Sequence, residues 1–144
     1  MLYWDTSALV KQYLTEPGTP QALTLRAQPE VLHATAIIAY TELFSALRRR
    51  VREGVLSEAR YRRAIGRFCH DWVAYVRIRL DEEIMGQAAM LIERYPLRTL
   101  DAIHLAAALK IQDQMGEPSV MVSADEQLLR AATAEQLAIR RIQP

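Results

Sequence analysis

The sequence predicts an α/β fold in which a central, mainly parallel sheet is covered by helices on both faces. Short apolar segments alternate along the chain with longer stretches whose apolar residues repeat at helical spacing. Strands separated by helices pair in parallel and place helices on both faces of the sheet. In addition, Asp5 and Asp125 each follow a short apolar segment and precede a helical pattern.

Five short segments are predicted to form the strands. In chain order they are residues 2–4, 31–34, 76–80, 119–122 and 138–142. The first is entirely apolar, which is typical of a buried central strand. The third lies where apolar and polar residues alternate, and the fourth is mostly apolar. The last follows the final helical pattern and is expected at an edge of the sheet.

Seven helices are predicted from apolar spacing and from residues that favour helix ends. They are residues 8–14, a short segment from 19, 37–52, 57–69, 81–95, 100–114 and a last one ending near 132. Hydroxyl and carboxylate side chains are expected to cap them, because such groups accept hydrogen bonds from free amides. These caps are Thr6 and Ser7, Thr19, Ser57, Thr99, and Asp125 or Ser123. Glycine or proline follows most of the helices.

Length and composition indicate one ordinary globular domain, which we expect to span residues 1–144. The chain has 144 residues, of which 51% are hydrophobic and 24% charged. Its single cysteine excludes an internal disulfide and any multi-cysteine zinc site. No basic start with a long apolar run precedes Asp5, so we predict no membrane span and a cytoplasmic location.

Arginines are concentrated in the middle of the chain. From Arg48 to Arg79 there are ten arginines and three acidic residues, a local net charge of +7, although the whole chain carries only +1. A solvated helix face explains this pattern. A track for RNA phosphates explains it equally well, because such tracks bind through salt-sensitive release of counterions. The sequence leaves both interpretations open.

Four acidic residues lie where an α/β fold would place a binding site: Asp5, Glu42, Asp101 and Asp125. Residues just beyond the carboxyl ends of parallel strands line one crevice, which is where such folds bind ligands. Taken singly, each aspartate is explained as a residue at a helix start, where a carboxylate contributes about 0.3–1 kcal/mol. Glu42 lies inside a helix beside apolar residues, so it needs a partner, either Arg49 or a metal ion.

Taken together, the four carboxylates favour a metal site. Hard divalent ions such as Mg²⁺ take oxygen ligands. Carboxylates from several elements can hold such ions, which activate water and neutralise charge at a phosphodiester. The histidines are far apart in sequence and do not support a rival zinc site. We expect His104 to pack on a helix face near Asp101, and the sequence leaves open whether it contributes to the site.

Four motifs together resemble those of the PIN-domain nucleases, and more narrowly those of VapC-type toxins of toxin–antitoxin pairs. They are WDTSALVK, TELFSAL, LDAIHLAAA and VSADEQLLRAA, in family order over essentially the whole chain. The resemblance implies a three-layer α/β/α domain that acts as a Mg²⁺- or Mn²⁺-dependent endoribonuclease. The metal-site residues that it implies are Asp5, Glu42, Asp101 and Asp125, with supporting hydroxyl groups at Ser7 and Ser123.

The same resemblance implies three partners: a small cognate antitoxin that blocks the site, an RNA substrate, and a second copy of the chain. The copies would form a homodimer or a higher assembly with the antitoxin. Ser123 is a mild departure from the commoner threonine. Glu126 is left outside the site, because on a helix it can point to solvent.

Three other functions fit the sequence less well than a nuclease. A haloacid dehalogenase-like phosphatase would need a second aspartate two residues after Asp5, where the chain has Ser7. A response-receiver module would need an acidic pair near the start and a late lysine, which Lys110 fits poorly. A PIN-like RNA- or protein-binding module that has lost catalysis stays open, although the presence of all four carboxylates disfavours it.

Overall fold

A computed structural model, which describes residues 1–143, has one parallel sheet between two layers of helices. The strands are β1 (Leu2–Trp4), β2 (His33–Ala36), β3 (Val76–Ile78), β4 (Val120–Ser123) and β5 (Ala138–Arg141). Their order is β3-β2-β1-β4-β5, and every pairing is parallel. The predicted three-layer α/β/α fold is confirmed, with β5 at an edge as expected. The last residue of the predicted domain, 144, lies outside the described residues.

Within residues 1–143, seven α-helices connect the strands. They are α1 (Thr6–Leu9), α2 (Thr19–Arg26), α3 (Ala39–Arg52), α4 (Glu58–Trp72), α5 (Glu82–Arg94), α6 (Thr99–Met115) and α7 (Glu126–Ala134). Helices α1 to α4 cover one face of the sheet, and α5 to α7 cover the other. In the described part of the chain, no helix combines the length and apolar character needed to cross a bilayer.

The central strand, β1, anchors both helical layers. Leu2 and Trp4 pack into the layer of α1 to α4, whereas Tyr3 packs into the layer of α5 to α7. All three side chains are buried. Because alternate side chains of a strand project to opposite faces, these three consecutive apolar residues pack into the hydrophobic cores on both sides of the sheet. At roughly 1.5–3 kcal/mol for each fully buried large side chain, this short strand contributes strongly to stability.

The sheet reverses its direction of growth at β1. The chain adds β2 and β3 on one side, and β4 and β5 on the other. In open parallel sheets, ligands bind beyond the carboxyl ends of the strands at such a reversal. Trp4, the last residue of β1, pairs with Val122 of β4, so the ends of these two strands lie side by side. Asp5 and Asp125, which follow the two strands, are therefore neighbours.

The predicted position of the second strand is wrong by two residues, since β2 is His33–Ala36 instead of 31–34. Leu32 is exposed, and its carbonyl accepts a hydrogen bond from the Leu2 amide at 2.8 Å. Ala34 and Ala36 have low strand propensity, yet both are fully buried against α6, itself rich in alanine. Close packing of a helix on the sheet overrides local propensity here.

The first residues of two helices also differ from the prediction. Asp5, rather than Thr6 or Ser7, caps α1, because its side chain accepts a hydrogen bond from the Ser7 amide. The first helix ends at Leu9 and tightens into a 3₁₀ turn at residues 10–12. Thr99 lies inside α6 and does not cap it. The prediction of Asp125 as the cap of α7 is confirmed, with the Leu128 amide as its donor.

Helices α3 and α4 pack against each other with bounds slightly different from those predicted. Helix α3 begins at Ala39 rather than at 37, and α4 continues to Trp72 rather than ending near 69. The added turn places the Trp72 ring 5.2 Å from that of Phe68, which also lies 5.5 Å from Tyr40 and 5.4 Å from Tyr13. Aromatic pairs at these separations contribute about 0.5–1.5 kcal/mol beyond their burial.

His33, at the start of β2, is a buried histidine that the fold keeps neutral. Trp4 donates from Nε1 to His33 Nδ1 at 3.0 Å, and the Tyr75 ring lies edge-on to the imidazole. Burial, followed by the positive charge of Arg26, lowers the pKa of His33 from 6.5 to about 4. Protonation of Nδ1 would break the bond from Trp4 and leave a buried indole N–H without an acceptor.

We predict that His33 makes the fold less stable as the pH falls from 7 toward 4. The unfolded chain takes up this proton near pH 6.5 and the folded chain only near pH 4, so the free energy of unfolding decreases across the window, by up to roughly 3 kcal/mol. In urea unfolding measured against pH, His33→Gln should flatten this slope. His70→Gln, at an exposed site, should not. An unchanged slope in His33→Gln would contradict the prediction.

Candidate active site

All four carboxylates predicted from the sequence line one cavity at the carboxyl edge of the sheet. The cavity has a volume of about 460 Å³ and is bordered by Asp5, Glu42, Asp101 and Asp125. Asp5 follows β1, Asp125 follows β4, and the other two lie in the first turns of α3 and α6. The topology thus collects acids that are as much as 120 residues apart, from 5 to 125, around one opening.

Asp5 is held in place by two serine hydroxyl groups. Its Oδ2 accepts hydrogen bonds from Ser7 Oγ, from Ser123 Oγ at 2.9 Å and from the Ser7 amide at 3.2 Å. Each hydroxyl oxygen is itself oriented by an amide, that of Ala124 for Ser7 and that of Asp125 for Ser123. Among residues 1–143 no donor bonds to Oδ1 of Asp5, so this oxygen remains available to a ligand.

Glu42 pairs with His104, a partner that was not predicted from the sequence. His104 Nε2 donates to Glu42 Oε2 at 2.8 Å, and Thr6 Oγ1 donates to the same oxygen at 2.8 Å. Arg49, which with a metal ion was one of the two partners left open by the sequence, makes no ion pair in the described residues. His104 lies inside the site, with 1% of its surface exposed and Nε2 4.0 Å from Asp5 Oδ1.

The ionisation of this pair follows from its surroundings. Burial acts to raise the pKa of Glu42, but the hydrogen bond and charge of His104 and the bond from Thr6 outweigh it, and the pKa is lowered. Burial acts to lower the pKa of His104, but Glu42, Asp5 and Asp101 raise it overall. Tyr3 hydroxyl lies 3.0 Å from the other imidazole nitrogen, Nδ1, and fixes the ring from the opposite side. Glu42 is therefore held as a carboxylate.

Asp101 and Asp125 share a single counter-ion, Arg98. Its Nε donates to Asp101 Oδ2 at 2.8 Å, and its Nη2 donates to Asp125 Oδ2 at 3.2 Å. The Arg98 side chain is 77% exposed. Exposed ion pairs contribute only about 0–1 kcal/mol, so this guanidinium can leave at little cost.

Repulsion between the carboxylates persists despite Arg98. Burial raises the pKa of Asp101, Arg98 lowers it, and the charges of Asp5 and Asp125 raise it again; the net change is upward. The Asp101 carboxylate is therefore less stable in the folded protein than in water, and a stronger cation than one shared guanidinium would stabilise it.

The donor set fits a hard divalent cation. Four carboxylates from separate elements face one cavity, and oxygen is the ligand atom that Mg²⁺ and Mn²⁺ prefer. In residues 1–143, however, no three His, Cys, Asp or Glu side chains are gathered closely enough to hold an ion. Because Arg98 bridges Asp101 and Asp125, binding of an ion would require it to turn away and the carboxylates to draw together.

Arg98, Thr6 and Tyr3 contact the site carboxylates or His104 and were not predicted from the sequence to do so. The spacing of Arg98 and Asp101, three residues apart at a helix start, was an available signal for an ion pair. The contacts of Thr6 and Tyr3 with the pair of Glu42 and His104 depend on the tertiary fold and had no local signal. Glu126 does not line the cavity and pairs with Arg141 at 2.8 Å.

Comparison with known proteins identifies the class to which this fold and site belong. The family model described as "PIN domain" matches residues 2–134. Ribonuclease VapC45 of Mycobacterium tuberculosis is 30% identical over 123 residues, which cover 85% of this chain and 82% of the relative. Ribonuclease VapC47 of the same species is 33% identical over 132 residues, covering 90% and 88%. The chain belongs to the PIN domain family, and within it to the VapC group.

Solved structures share the fold at low sequence identity. The crystal structure of M. tuberculosis VapC20, described as a sarcin–ricin loop cleaving toxin, superposes with a TM-score of 0.68 at 16% identity, covering 91% of this chain and 95% of that one. VapBC2 from Rickettsia felis, bound to a DNA fragment from its promoter, gives a TM-score of 0.69 at 13% identity, covering 99% and 100%. These likenesses bear on the fold alone.

We predict that Arg98→Gln binds Mn²⁺ more tightly than the unaltered protein, by about tenfold, or about 1.4 kcal/mol. The substitution removes the cation that competes for Asp101 and Asp125. Calorimetric titration measures the affinity directly, without any cleavage assay. Arg94→Gln is the matched control, because Arg94 is exposed and pairs with Glu135 outside the cavity. Equal or weaker Mn²⁺ binding by Arg98→Gln would show that Arg98 does not compete with the ion.

Proposed function

We propose that this chain, as a single PIN-like domain over residues 1–144, is a divalent-metal-dependent endoribonuclease and the toxin of a type II toxin–antitoxin system. The observation that carries the proposal is the convergence of Asp5, Glu42, Asp101 and Asp125 on one cavity. Membership of the PIN domain family, and relatives named Ribonuclease VapC at about 30% identity, support it.

In the proposed site the four carboxylates hold Mg²⁺ or Mn²⁺. When bound, such an ion lowers the pKa of water and offsets charge on phosphoryl oxygens. Ser7 and Ser123 hold Oδ2 of Asp5 by hydrogen bonds, which leaves Oδ1 for the ion. His104 and Thr6 keep Glu42 ionised and aimed at the cavity.

Arg98 has a second role in this proposal. Once released from Asp101 and Asp125, its exposed guanidinium remains at the mouth of the cavity, where it can donate two parallel hydrogen bonds to a phosphate. The Arg98 side chain would neutralise the carboxylates in the ion-free protein and contact the substrate when the ion is bound. Lysine could not reproduce the planar, two-pronged donor geometry.

The proposed substrate is single-stranded or looped RNA. The cavity is open to solvent at the surface of the domain, and a strand must be free of base pairing to bring one phosphodiester to carboxylates partly sunk in a cleft. VapC20, one of the proteins that share this fold, is described as cleaving the sarcin–ricin loop. For the present chain a loop or other unpaired segment is the substrate class that we propose, without a particular RNA.

The proposed protein partner is a small cognate antitoxin, with the chain itself present as a homodimer or a higher assembly. One structure of the same fold, VapBC-5 from Mycobacterium tuberculosis, is described as a member of the VapBC family of toxin–antitoxin systems. Two others, VapBC2 and FitAB, were solved with DNA fragments bound. We place the proposed action in the cytoplasm, where such a complex meets RNA.

The alternative is a PIN-like module that binds RNA or protein without cleaving. Loss of catalysis normally removes site carboxylates, whereas here all four are present and two have dedicated hydrogen-bond partners. This favours the enzyme.

We predict that Asp101→Asn lowers the rate of RNA cleavage at least ~10²-fold, a loss of about 2.7 kcal/mol in transition-state stabilisation. The amide keeps the shape of the side chain and removes its charge. Asp113→Asn is the control, since Asp113 is an exposed aspartate of the same helix outside the cavity. Cleavage of a labelled single-stranded RNA is measured with Mn²⁺ and with EDTA. Cleavage that persists in EDTA would contradict a metal-dependent mechanism.

We also predict that expression of the chain alone arrests growth of a bacterial host, and that co-expression with the protein encoded beside it restores growth. Asp5→Asn should abolish the arrest, because it removes a charge from the most buried carboxylate of the site. Western blotting checks that the variants accumulate to equal levels. Normal growth with abundant, folded protein would count against the assignment as a toxin.

A further inference from the structure

A second cavity lies beside the carboxylate cavity and has the opposite charge. It has a volume of about 360 Å³ and is bordered by four arginines, Arg50, Arg60, Arg63 and Arg67. The two cavities share a wall, because Leu14, Glu16 and Arg50 line both. We refer to this second cavity as the arginine pocket.

The sequence of α4 explains why the arginines face one way. Arg60, Arg63 and Arg67 are spaced by three and four residues, which places them on one side of a helix. The buried face of the same helix carries Ala64 and Phe68. Ala64 also lines the pocket.

The pocket carries uncompensated positive charge. Glu16 is the one acidic residue among the residues that line it, and Lys11 at 3.3 Å and Arg50 at 2.8 Å already pair with it. In the described part of the chain, Arg60 and Arg63 form no ion pair. These two exposed guanidinium groups are therefore available to an anionic ligand.

Arg67 also lines the pocket, and two contacts restrict the position of its side chain. Its Nη2 donates to the Gln12 carbonyl at 2.9 Å, and its guanidinium lies 5.7 Å from the centre of the Tyr13 ring. Neither contact neutralises its charge, and both restrict its movement. A partly fixed arginine loses less conformational freedom when it binds, which favours recognition by preorganisation.

We infer that the arginine pocket binds backbone phosphates of the RNA strand next to the bond that is cleaved. The inference rests on the proposed function and names the surface that holds the substrate. Guanidinium groups donate paired hydrogen bonds to phosphate oxygens, which matches the ligand class. A strand with one phosphate at the carboxylates must continue across an adjacent surface, and the arginine pocket is adjacent and cationic.

The placement of the arginine pocket beside the carboxylates has an electrostatic consequence for RNA binding. The carboxylate cavity is lined by five acidic residues and by Lys11, Arg49, Arg50 and Arg98, so its charges largely cancel. We therefore expect most of the affinity for RNA to come from the unpaired cations beside it. The unpaired arginines supply that affinity through release of counterions, whatever the base sequence. An acidic segment of a protein could also seat in the pocket, but it would have no need of the shared wall with the carboxylate cavity.

The test compares two double variants with equal loss of charge. Arg60→Gln/Arg63→Gln removes the unpaired arginines of the pocket. Arg52→Gln/Arg62→Gln removes two exposed arginines of the same pair of helices that line neither cavity and form no ion pair in residues 1–143. Binding of a labelled single-stranded oligonucleotide RNA is measured by fluorescence anisotropy, in EDTA and over a range of salt concentrations.

The pocket variant should raise the Kd for RNA at least tenfold and lower the slope of log Kd against log salt by about 1.4, for two phosphate contacts on a single strand. The control variant should change the Kd less than threefold. A third variant, Arg60→Lys/Arg63→Lys, keeps the charge and loses the paired donors, so its slope should stay while its affinity falls. It also provides a test if the glutamine variant fails to fold.

Equal losses in the pocket and control variants would overturn the inference, because the arginines would then act only as diffuse charge. The inference would also be overturned if the pocket variant bound RNA as tightly as the wild-type protein. If that variant had in addition lost binding to a co-expressed acidic protein, the pocket would be a site for a protein partner. Failure of the nuclease proposal is separate: in that case the wild-type protein binds RNA through the pocket but does not cleave it in Mn²⁺.

Discussion

The fold gathers negative charge at one edge of the sheet, and the rest of the site is arranged around the cost of doing so. Asp5 is buried, and an ionised carboxylate without partners would cost several kcal/mol in such a position. Two serine hydroxyl groups and an amide satisfy one of its oxygens. Elsewhere each acid has a cation, His104 beside Glu42 and Arg98 beside Asp101. These partners offset enough of the repulsion for the protein to fold, but a divalent cation would still stabilise the carboxylates further.

The partners differ in how easily they can be displaced, and this difference divides the site into two parts. His104 is buried and bonded on both ring nitrogens, so Glu42 is fixed before any ligand arrives. Arg98 is exposed and holds two aspartates weakly. An inner, rigid part therefore sets the position of the site, and an outer, exchangeable part responds to the ligand. The arginine pocket extends the outer part, because it places unpaired cations along the path that an anionic chain would take.

Much of this arrangement could be predicted from the sequence, because the signals were local. An apolar strand at 2–4 followed by Asp5, and an apolar strand before Asp125, predicted two strands of the parallel sheet with an aspartate at the carboxyl end of each. The end of β2 could not be predicted, because a small residue such as Ala36 reveals its burial only when α6 is packed on it. The pairing of Glu42 with His104 joins residues 62 apart, and no local pattern encodes it. The exposed Arg98 gave only the weak signal of its spacing to Asp101.

The claim on which the site and its chemistry depend is that a divalent ion replaces Arg98 among the carboxylates. The most direct measurement is a crystal structure of the protein grown with Mn²⁺, with anomalous data collected at the manganese edge. We expect an anomalous peak within ligand distance of Asp5 and Asp101, with the Arg98 guanidinium turned away from both Asp101 and Asp125. A map without a peak in this cavity at millimolar Mn²⁺, with Arg98 still bridging the two aspartates, would contradict the claim.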